Sequence, residues 1–285
     1  MIHALDHVVL VVRDLEEASA TYTKILGRMP SWRGAHPALG TENTLFRLAN
    51  GYLELLAPVA EGLLADSLRA RLDDAGPGLF ALAFAVDDAD QCAALLRERG
   101  YHPTDPIPGE GRDRDTDAER RWRNVLIPSE RTRGVSIFCI EHLSPEEALP
   151  MAAASAEEKS AVSGFDHVVV NTPAPDAARE IYGKGLGLRL ALDKTFEKFG
   201  ARMMFFRTGG VTIEVVARLG EETDPEADDA LFGLAWRIPD ASLVHARMTE
   251  AGLDVSELRP GRKPGTTVFT LRAPTCGVPT LLLEG

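Results

Sequence analysis

Two copies of one tetrapeptide carry the side chains of this sequence that are best suited to chemistry. Asp-His-Val-Val occurs around His7 and again around His167, an offset of 167 − 7 = 160. The same offset relates Glu54 to Glu214. An imidazole and a carboxylate that recur together can bind a divalent cation or move a proton, and a hydrophobic core needs neither of them. The repeat therefore bears on function as well as on the fold.

Each histidine lies on a predicted strand, and each glutamate lies on a later strand of the same segment. Residues 5–12 are apolar and β-branched, which predicts a strand. Asp14 is a good N-cap for a predicted helix from Leu15 to Leu26. A hairpin is predicted around the Asn-Gly turn at residues 50–51. Residues 5–58 therefore predict a strand, a helix and then two or three further strands.

The same order of elements returns three more times along the chain. The additional copies occupy residues 79–141, 165–217 and 231–284. Because a βαβββ unit of this size cannot bury its sheet alone, the units must pair. The sequence predicts an α+β fold with four βαβββ units paired into two curved mixed sheets with concave pockets. Two domains are expected, residues 1–145 and 164–285, joined by a linker at 146–163 that is rich in Ala, Ser and Glu.

Composition indicates a protein that folds in water and argues against two classes of partner. The chain has 45% hydrophobic and 26% charged residues, as globular proteins do. Its formal net charge of −12 opposes binding to nucleic acid or to an anionic membrane. No apolar run is long enough to span a bilayer, and three cysteines far apart make no disulfide framework. We expect a cytoplasmic protein that acts on a small molecule; a homodimer is left open.

The motifs resemble those of the vicinal oxygen chelate superfamily, which includes glyoxalase I, the extradiol dioxygenases, fosfomycin resistance proteins and methylmalonyl-CoA epimerase. The resemblance rests on residues 5–9, 22–27 and 52–55 and on their counterparts 160 residues later. The segment from Gly34 to Asn43 is similar to the glyoxalase-like branch. The resemblance covers nearly the whole chain, and it implies the fold more strongly than the reaction, because this fold hosts many chemistries.

The resemblance implies a divalent metal (Zn, Ni, Mn or Fe(II)) held by ligands on the first and last strands of paired units. His7 and Glu54 occupy those ligand positions in unit one, and His167 and Glu214 occupy them in unit three. In units two and four the same positions hold residues without ligand atoms: Ala81, Phe138, Gly233 and Leu281.

Two glutamates in units two and four come three residues after the position of the missing ligand. These are Glu141 and Glu284. Odd spacing on a strand places a side chain on the opposite face, so neither carboxylate is expected to point into a pocket.

The pairing of the units decides whether the ligands meet. Sequential pairing is favoured by chain connectivity and leaves one histidine and one glutamate in each pocket. Pairing of unit one with unit three would bring His7, Glu54, His167 and Glu214 to one ion, in a set of two histidines and two glutamates like that of glyoxalase I. A third reading needs no metal, because a buried histidine can be satisfied by the backbone and a glutamate can face solvent.

Further candidate residues lie in the first half of the chain. His36 and Glu54 are candidate catalytic residues for moving a proton, and Asn43 is a candidate for substrate binding. His36 could equally be a residue of a surface turn. Arg121 and Arg123 would bind a substrate carboxylate or phosphate if they face the pocket; if Trp122 between them faces it, the segment is ordinary packing.

The preferred reading is a metal-dependent isomerase, epimerase or lyase that acts on a small oxygenated substrate through an enolate-like intermediate. The first half is preferred because it alone carries His36, Asn43 and the pair of Arg121 and Arg123. The alternative is a metal-free binding protein like the bleomycin resistance proteins, which the missing ligands of units two and four favour. An extradiol ring-cleaving dioxygenase is less favoured, because Gly233 and Leu281 replace a histidine and a carboxylate that this class needs.

Overall fold

The computed structural model describes residues 1–220 and 224–285 and contains two mixed sheets. The first half contributes the following elements in chain order: β1 (Ala4–Val11), α1 (Leu15–Leu26), β2 (Trp32–His36), β3 (Thr41–Leu48), β4 (Gly51–Pro58), α2 (Leu63–Ala75), β5 (Gly78–Ala85), α3 (Ala89–Glu98), β6 (Ile107–Arg112), β7 (Glu119–Ile127) and β8 (Ser136–His142). These strands form one eight-stranded sheet in the order β2-β3-β4-β1-β5-β8-β7-β6.

The second half repeats this architecture. Its elements are β9 (Gly164–Asn171), α4 (Pro175–Arg179), β10 (Arg189–Phe196), β11 (Ala201–Thr208), β12 (Val211–Arg218), β13 (Ala230–Arg237), α5 (Ala241–Glu250), β14 (Asp254–Val255), β15 (Arg259–Pro260), β16 (Thr267–Ala273) and β17 (Thr280–Glu284). A π-helical turn at Glu180–Gly185 continues α4. The nine strands share one sheet, with the order β10-β11-β12-β9-β13-β17-β16-β14 and β15 beside β16.

The units pair in sequence order, as chain connectivity predicts. Strands β1 and β5 join units one and two as antiparallel neighbours, and β9 and β13 join units three and four in the same way. The predicted α+β fold of four units in two curved sheets is therefore confirmed. The alternative pairing of unit one with unit three is wrong, because His7 and His167 lie on strands of different sheets.

One continuous hydrophobic core joins the two sheets. Val8 and Leu10 of β1 and Val168 and Val170 of β9 belong to this core, together with buried residues of α1, α3 and α5. Successive side chains of a strand point to opposite faces, so His7 and His167 point away from the shared core. Each histidine therefore faces the concave side of its own sheet.

The first sheet closes almost into a barrel. The backbone N–H of Arg33 on β2 donates to Asp113 Oδ1 at 2.8 Å, and the N–H of Arg114 donates to the Arg33 carbonyl at 2.7 Å. These bonds link the segment after β6 to β2, at the other edge of the same sheet. The concave face that carries His7 becomes an enclosed interior.

Helix α2 covers part of this interior and was absent from the sequence-based prediction. Its buried residues Leu68 and Leu72 pack against Val9 and Val11, on the face of β1 that also carries His7. Leucines at positions 64, 68 and 72 have helical spacing, which is the signal that could have revealed the helix.

The segment 146–163 connects the halves and is packed rather than free. It contains only short 3₁₀ turns, at Glu146–Ala148 and Glu158–Ser160. Leu149 is buried with Trp32, Leu45 and Tyr52, so the connecting segment completes the wall of the first half. Within the described residues, no helix is long and apolar enough to cross a membrane.

Arg247 on α5 ties the second half to the first. Its guanidinium donates to the carbonyls of Lys24 and Ile25 at the end of α1 and to the carbonyl of Ser160 in the connecting segment. A cation near the C-terminal end of a helix also interacts favourably with the helix dipole.

We expect Arg247→Met to lower the free energy of unfolding by at least about 2 kcal/mol, because three carbonyls lose a charged donor. Urea denaturation followed by circular dichroism measures this change. Arg272→Met is the matched control: Arg272 is exposed and pairs with the exposed Asp254, so its loss should change the free energy by less than about 1 kcal/mol. Equal effects of the two substitutions would contradict this role of Arg247.

Candidate functional site

Both Asp-His pairs lie on a β-bulge. The pairing of β1 with β5 passes from Leu5 to His7 without a partner for Asp6, and the pairing of β9 with β13 skips Asp166 in the same way. A bulge lets two consecutive side chains approach each other on one side of a strand. Asp6 Oδ1 consequently lies 2.6 Å from His7 Nδ1, and Asp166 Oδ2 lies 2.8 Å from His167 Nδ1. The aspartate of the repeated motif thus orients the histidine beside it, a role that the sequence analysis missed.

His7 is enclosed in the interior of the first sheet. Its side chain is 3% exposed, and its ring stacks on Tyr52 with centroids 4.3 Å apart. Phe138 contacts the ring edge on, at 5.4 Å between centroids. The free nitrogen Nε2 lies 3.4 Å from Glu54 Oε2. The predicted pair of His7 and Glu54 is therefore brought together.

Asn43 and His36 complete this group, which we call the first site (His7, Glu54, Asn43 and His36). Asn43 Nδ2 donates to Glu54 Oε1 at 2.7 Å, while Asn43 Oδ1 is buried and has no hydrogen-bond partner. His36 Nδ1 lies 3.2 Å from the hydroxyl of Thr41, and the imidazole is near enough to Glu54 to affect its charge. His36 is the last residue of β2 and directly precedes the exposed 3₁₀ turn Pro37–Leu39 that leads into β3, so it lies where the strand meets a surface turn.

Hydrogen bonds outweigh burial in setting the charges around His7. Burial alone would raise the pKa of Asp6, but bonds from His142 and His7 hold that pKa well below its ordinary value. Burial would lower the pKa of His7, yet Asp6 and Glu54 together raise it. Burial would raise the pKa of Glu54, but His7, His36 and Asn43 lower it. The carboxylates of Asp6 and Glu54 are therefore both ionised inside the sheet.

The two arginines predicted to bind substrate do not face the first site. Arg123 pairs with Asp90 of α3 at 2.6 Å and with Glu141 at 2.5 Å, on the helix-covered face of the sheet. Arg121 is two residues away on the same strand and is exposed. Neither Arg121 nor Arg123 faces the pocket, so neither can bind a substrate there. The alternation itself is correct, because Trp122 lies on the opposite, inner face.

Arg120 is the arginine that faces the interior, and sequence reasoning missed it. It is 6% exposed, and its guanidinium lies 5.4 Å from the ring centroid of Trp32, 5.6 Å from that of Tyr52 and 5.7 Å from that of Trp122. Strand β6 makes room for this stack with Gly109, where a Cβ atom would lie 2.3 Å from Trp122 Nε1. The sequence signal that could have revealed Arg120 is its spacing: it lies two residues before Trp122 on the strand, so the two side chains share a face.

Two glutamates of units two and four were expected to point away from the pockets, and both do. Glu141 accepts a hydrogen bond from the backbone N–H of Ala89 at the start of α3, at 3.1 Å. Glu284 accepts one from Ala241 at the start of α5, at 3.0 Å. Both carboxylates therefore cap helices that pack in the shared core.

A cavity of 510 Å³ opens beside the first site. Asp6 and Tyr52, which both touch His7, form part of its wall, together with Arg120 and His142. The connecting segment contributes Leu149. The cavity therefore reaches the atoms that surround His7 from one end of the closed sheet.

The second half repeats the histidine and glutamate with different surroundings. His167 Nε2 lies 3.4 Å from Glu214 Oε2, the same separation as in the first site. At an offset of 160, and in the same strand register, Phe196 stands for His36, Met203 for Asn43 and Thr212 for Tyr52. His167 and Glu214 thus form a separate pair from which the other polar groups of the first site are missing.

Each pair offers two ligands to a cation. Ligands about 2.0–2.2 Å from a tetrahedral metal lie roughly 3.4 Å apart, which is the separation of nitrogen and oxygen in both pairs. A carboxylate on the second imidazole nitrogen is the usual support of a metal-bound histidine. Among residues 1–220 and 224–285, no group of three or more His, Cys, Asp or Glu side chains could hold a metal ion. A metal would therefore complete its coordination with other oxygens, and Asn43 Oδ1 is a buried acceptor without a partner.

Comparisons with known proteins agree on the fold. A family model described as a glyoxalase-like domain matches residues 5–162, and one described as the glyoxalase/bleomycin resistance protein/dioxygenase superfamily matches residues 166–270. No curated protein sequence matches the chain.

Three solved structures that are similar to the chain cover nearly its whole length at low identity. A mutant of 4-hydroxymandelate synthase from Streptomyces coelicolor is 16% identical, with 99% of this chain and 92% of that chain covered and a TM-score of 0.71. A hypothetical protein from Staphylococcus aureus is 12% identical, with full coverage of both chains and a TM-score of 0.67. A xylose isomerase-like TIM barrel/4-hydroxyphenylpyruvate dioxygenase fusion protein is 15% identical, with 100% of this chain and 49% of that chain covered and a TM-score of 0.59.

We expect Asn43→Met, which installs the residue of the second half, to lower the free energy of unfolding by about 1–3 kcal/mol, because a buried carboxylate oxygen loses its donor. Denaturant unfolding at neutral pH measures the change. Met203→Leu at the equivalent position should cost less than about 1.5 kcal/mol, since it conserves apolar volume. An Asn43→Met protein as stable as the parent would show that the bond to Glu54 does not support the site.

Proposed function

This chain belongs to the glyoxalase-like domain family, and from that membership we propose that it is a metal-dependent enzyme whose first site catalyses proton transfer on a small oxygenated substrate. Isomerases, epimerases and lyases share this step, in which a carbon acid next to a carbonyl loses a proton. The observation that carries the proposal is the arrangement of His7 Nε2 and Glu54 Oε2, 3.4 Å apart and backed by Asp6.

His7 and Glu54 would hold the metal, with Asn43 beside them. The metal would supply Lewis acidity that polarises a substrate carbonyl and stabilises the enolate-like anion. The bond to Asp6 fixes the ring of His7 and directs Nε2 towards Glu54. Asn43 holds one oxygen of Glu54 and thereby directs the other towards His7.

His36 is our candidate for moving the proton. Histidine is the side chain that most often exchanges a proton near neutral pH, and this one lies on the inner face of β2, where its charge helps to lower the pKa of Glu54. Thr41, which is 1% exposed, lies 3.2 Å from Nδ1 and leaves Nε2 free to face a substrate. Burial of the surrounding residues keeps bulk water from competing for the enolate-like anion.

The first half rather than the second is proposed as the active half. The second pair, His167 and Glu214, has Phe196 and Met203 where the first has His36 and Asn43. A cation could bind there, but no side chain equivalent to His36 would remain to move a proton. We therefore assign the second pair at most a metal-binding role.

A metal-free binding protein is the second candidate, and one observation favours it. Each half contributes only two ligand side chains, and the interior of the first sheet is lined with Trp32, Tyr52, Trp122 and Phe138. Such an interior suits an aromatic ligand of the kind that sequestration proteins bind.

We expect protein purified without chelator to contain a divalent metal at the first site. The His7→Ala variant should lose this metal, and the His167→Ala variant should keep it. Elemental analysis with Mn²⁺ or Zn²⁺ titration by calorimetry measures both. Asp6→Asn should weaken the affinity by about 10–100-fold, because it loosens the support of a ligand. If folded wild-type protein binds no divalent ion but binds an aromatic ligand tightly, the proposed enzyme function is wrong and the sequestration function is supported.

A further inference from the structure

Arg120 is an unusual residue in the cavity beside the first site. Its side chain is more than nine-tenths buried, yet among the described residues no acidic side chain lies within ion-pair distance of it. Charged groups are rarely buried without a partner, because removal from water destabilises them. The three aromatic rings around the guanidinium offset part of this loss through cation–π contacts.

The other charges of the cavity wall are already paired. Arg47 binds the carboxylate of Glu146 and the carbonyl of Leu149. Asp6 uses one oxygen for His7 and the other for His142, whose Nε2 lies 2.8 Å away. Arg120 is left as the arginine of this wall whose charge no described carboxylate neutralises.

The stacking of Arg120 determines what it can still bind. The faces of a guanidinium pack on aromatic rings, while its N–H groups lie in the plane and point past them. Those N–H groups match the two oxygens of a carboxylate, which accept hydrogen bonds side by side. Tyr52, whose pKa burial holds well above its ordinary value, keeps its proton and offers a neutral hydroxyl beside Arg120.

We propose that Arg120 binds the carboxylate of a small organic acid in this cavity. A single unpaired arginine matches a monoanion, and the carboxylate of Asp6 in the same wall opposes a dianion such as phosphate. Tyr52 contacts both Arg120 and His7, so a molecule bound at Arg120 extends along Tyr52 towards the first site. That this acid is the substrate rests on the proposed function; that a carboxylate binds at Arg120 does not.

Tryptophan fluorescence can test the proposal directly. The chain has three tryptophans, of which Trp32 and Trp122 flank Arg120 and Trp236 is buried in the core of the second half. The probes are benzoate, benzamide as its neutral analogue, and inorganic phosphate, each titrated into protein freed of metal by chelator. We expect saturable quenching by benzoate and none by benzamide, with phosphate weaker than benzoate.

Three variants locate the binding. Arg120→Gln should weaken benzoate binding by at least about tenfold, because it removes a charged double donor. Arg120→Lys keeps the charge without the planar pair of donors and should weaken binding by a smaller factor. Arg112→Gln is the matched control, since Arg112 lies on the neighbouring strand and pairs with exposed Asp117 instead of facing the cavity; its affinity should equal that of the parent.

Several outcomes would overturn the proposal. Folded wild-type protein without saturable benzoate binding would do so, as would equal affinity of a folded Arg120→Gln or Arg120→Lys protein. Tighter binding of phosphate than of benzoate would reject the carboxylate class. Benzoate binding is measured on metal-free protein, so a failure of the proposed metal chemistry and a failure of this anion site give different results.

Discussion

His7, Asn43 and Glu54 of the first site lie where water has little access, and this constraint explains the arrangement around His7. Asp6 and Glu54 stay ionised in the interior only because each accepts hydrogen bonds from neighbouring side chains. The imidazole between them is positioned by both carboxylates, and Asn43 restrains the more distant oxygen of Glu54. Removal of any one of these groups would leave a buried charge without compensation. The bulge at Asp6, the closure of β2 onto the segment after β6, and the packing of α2 all serve to enclose the same cluster.

The duplication shows what the cluster requires. Both halves keep the bulge, the Asp-His pair and the glutamate 3.4 Å from the imidazole. In the second half Arg237 takes the place of His142 at the outer aspartate, and a methionine replaces Asn43. The second histidine is 18% exposed against 3% for the first, so solvent reaches it and fewer internal partners are needed. Both halves thus share the oriented pair of histidine and glutamate. The first half also carries His36 and Asn43, which a pair that only binds a metal or supports the fold does not need.

The sequence predicted the elements more completely than it predicted their faces. The repeat located the histidines, the glutamates and the order of strands, because each depends on local pattern and a fixed offset. Strand alternation separated Arg121 and Arg123 from Trp122 correctly, but it could not say which face looks inward. That depends on how β7 pairs with β6 and β8, which is a property of the folded sheet. Arg120 was overlooked because it belongs to a stretch rich in acidic and basic residues, and its shared face with Trp122 indicates burial only once the inward face of β7 is known.

Closure of the first sheet is the feature that local pattern predicts least, and it has the largest consequence for chemistry. An open sheet would leave Glu54 and Arg120 hydrated, and their charges would act weakly on a ligand. Two hydrogen bonds of the Arg33 backbone, one to the Asp113 side chain and one from the Arg114 N–H, bring Trp32 and Trp122 from strands on the two sides of the sheet onto one guanidinium. The connecting segment then adds Leu149 to the wall. Residues from strands at the two ends of the sheet and from the connecting segment thus form one enclosure, in which a carboxylate at Arg120 and a polarised carbonyl near His7 can belong to the same molecule.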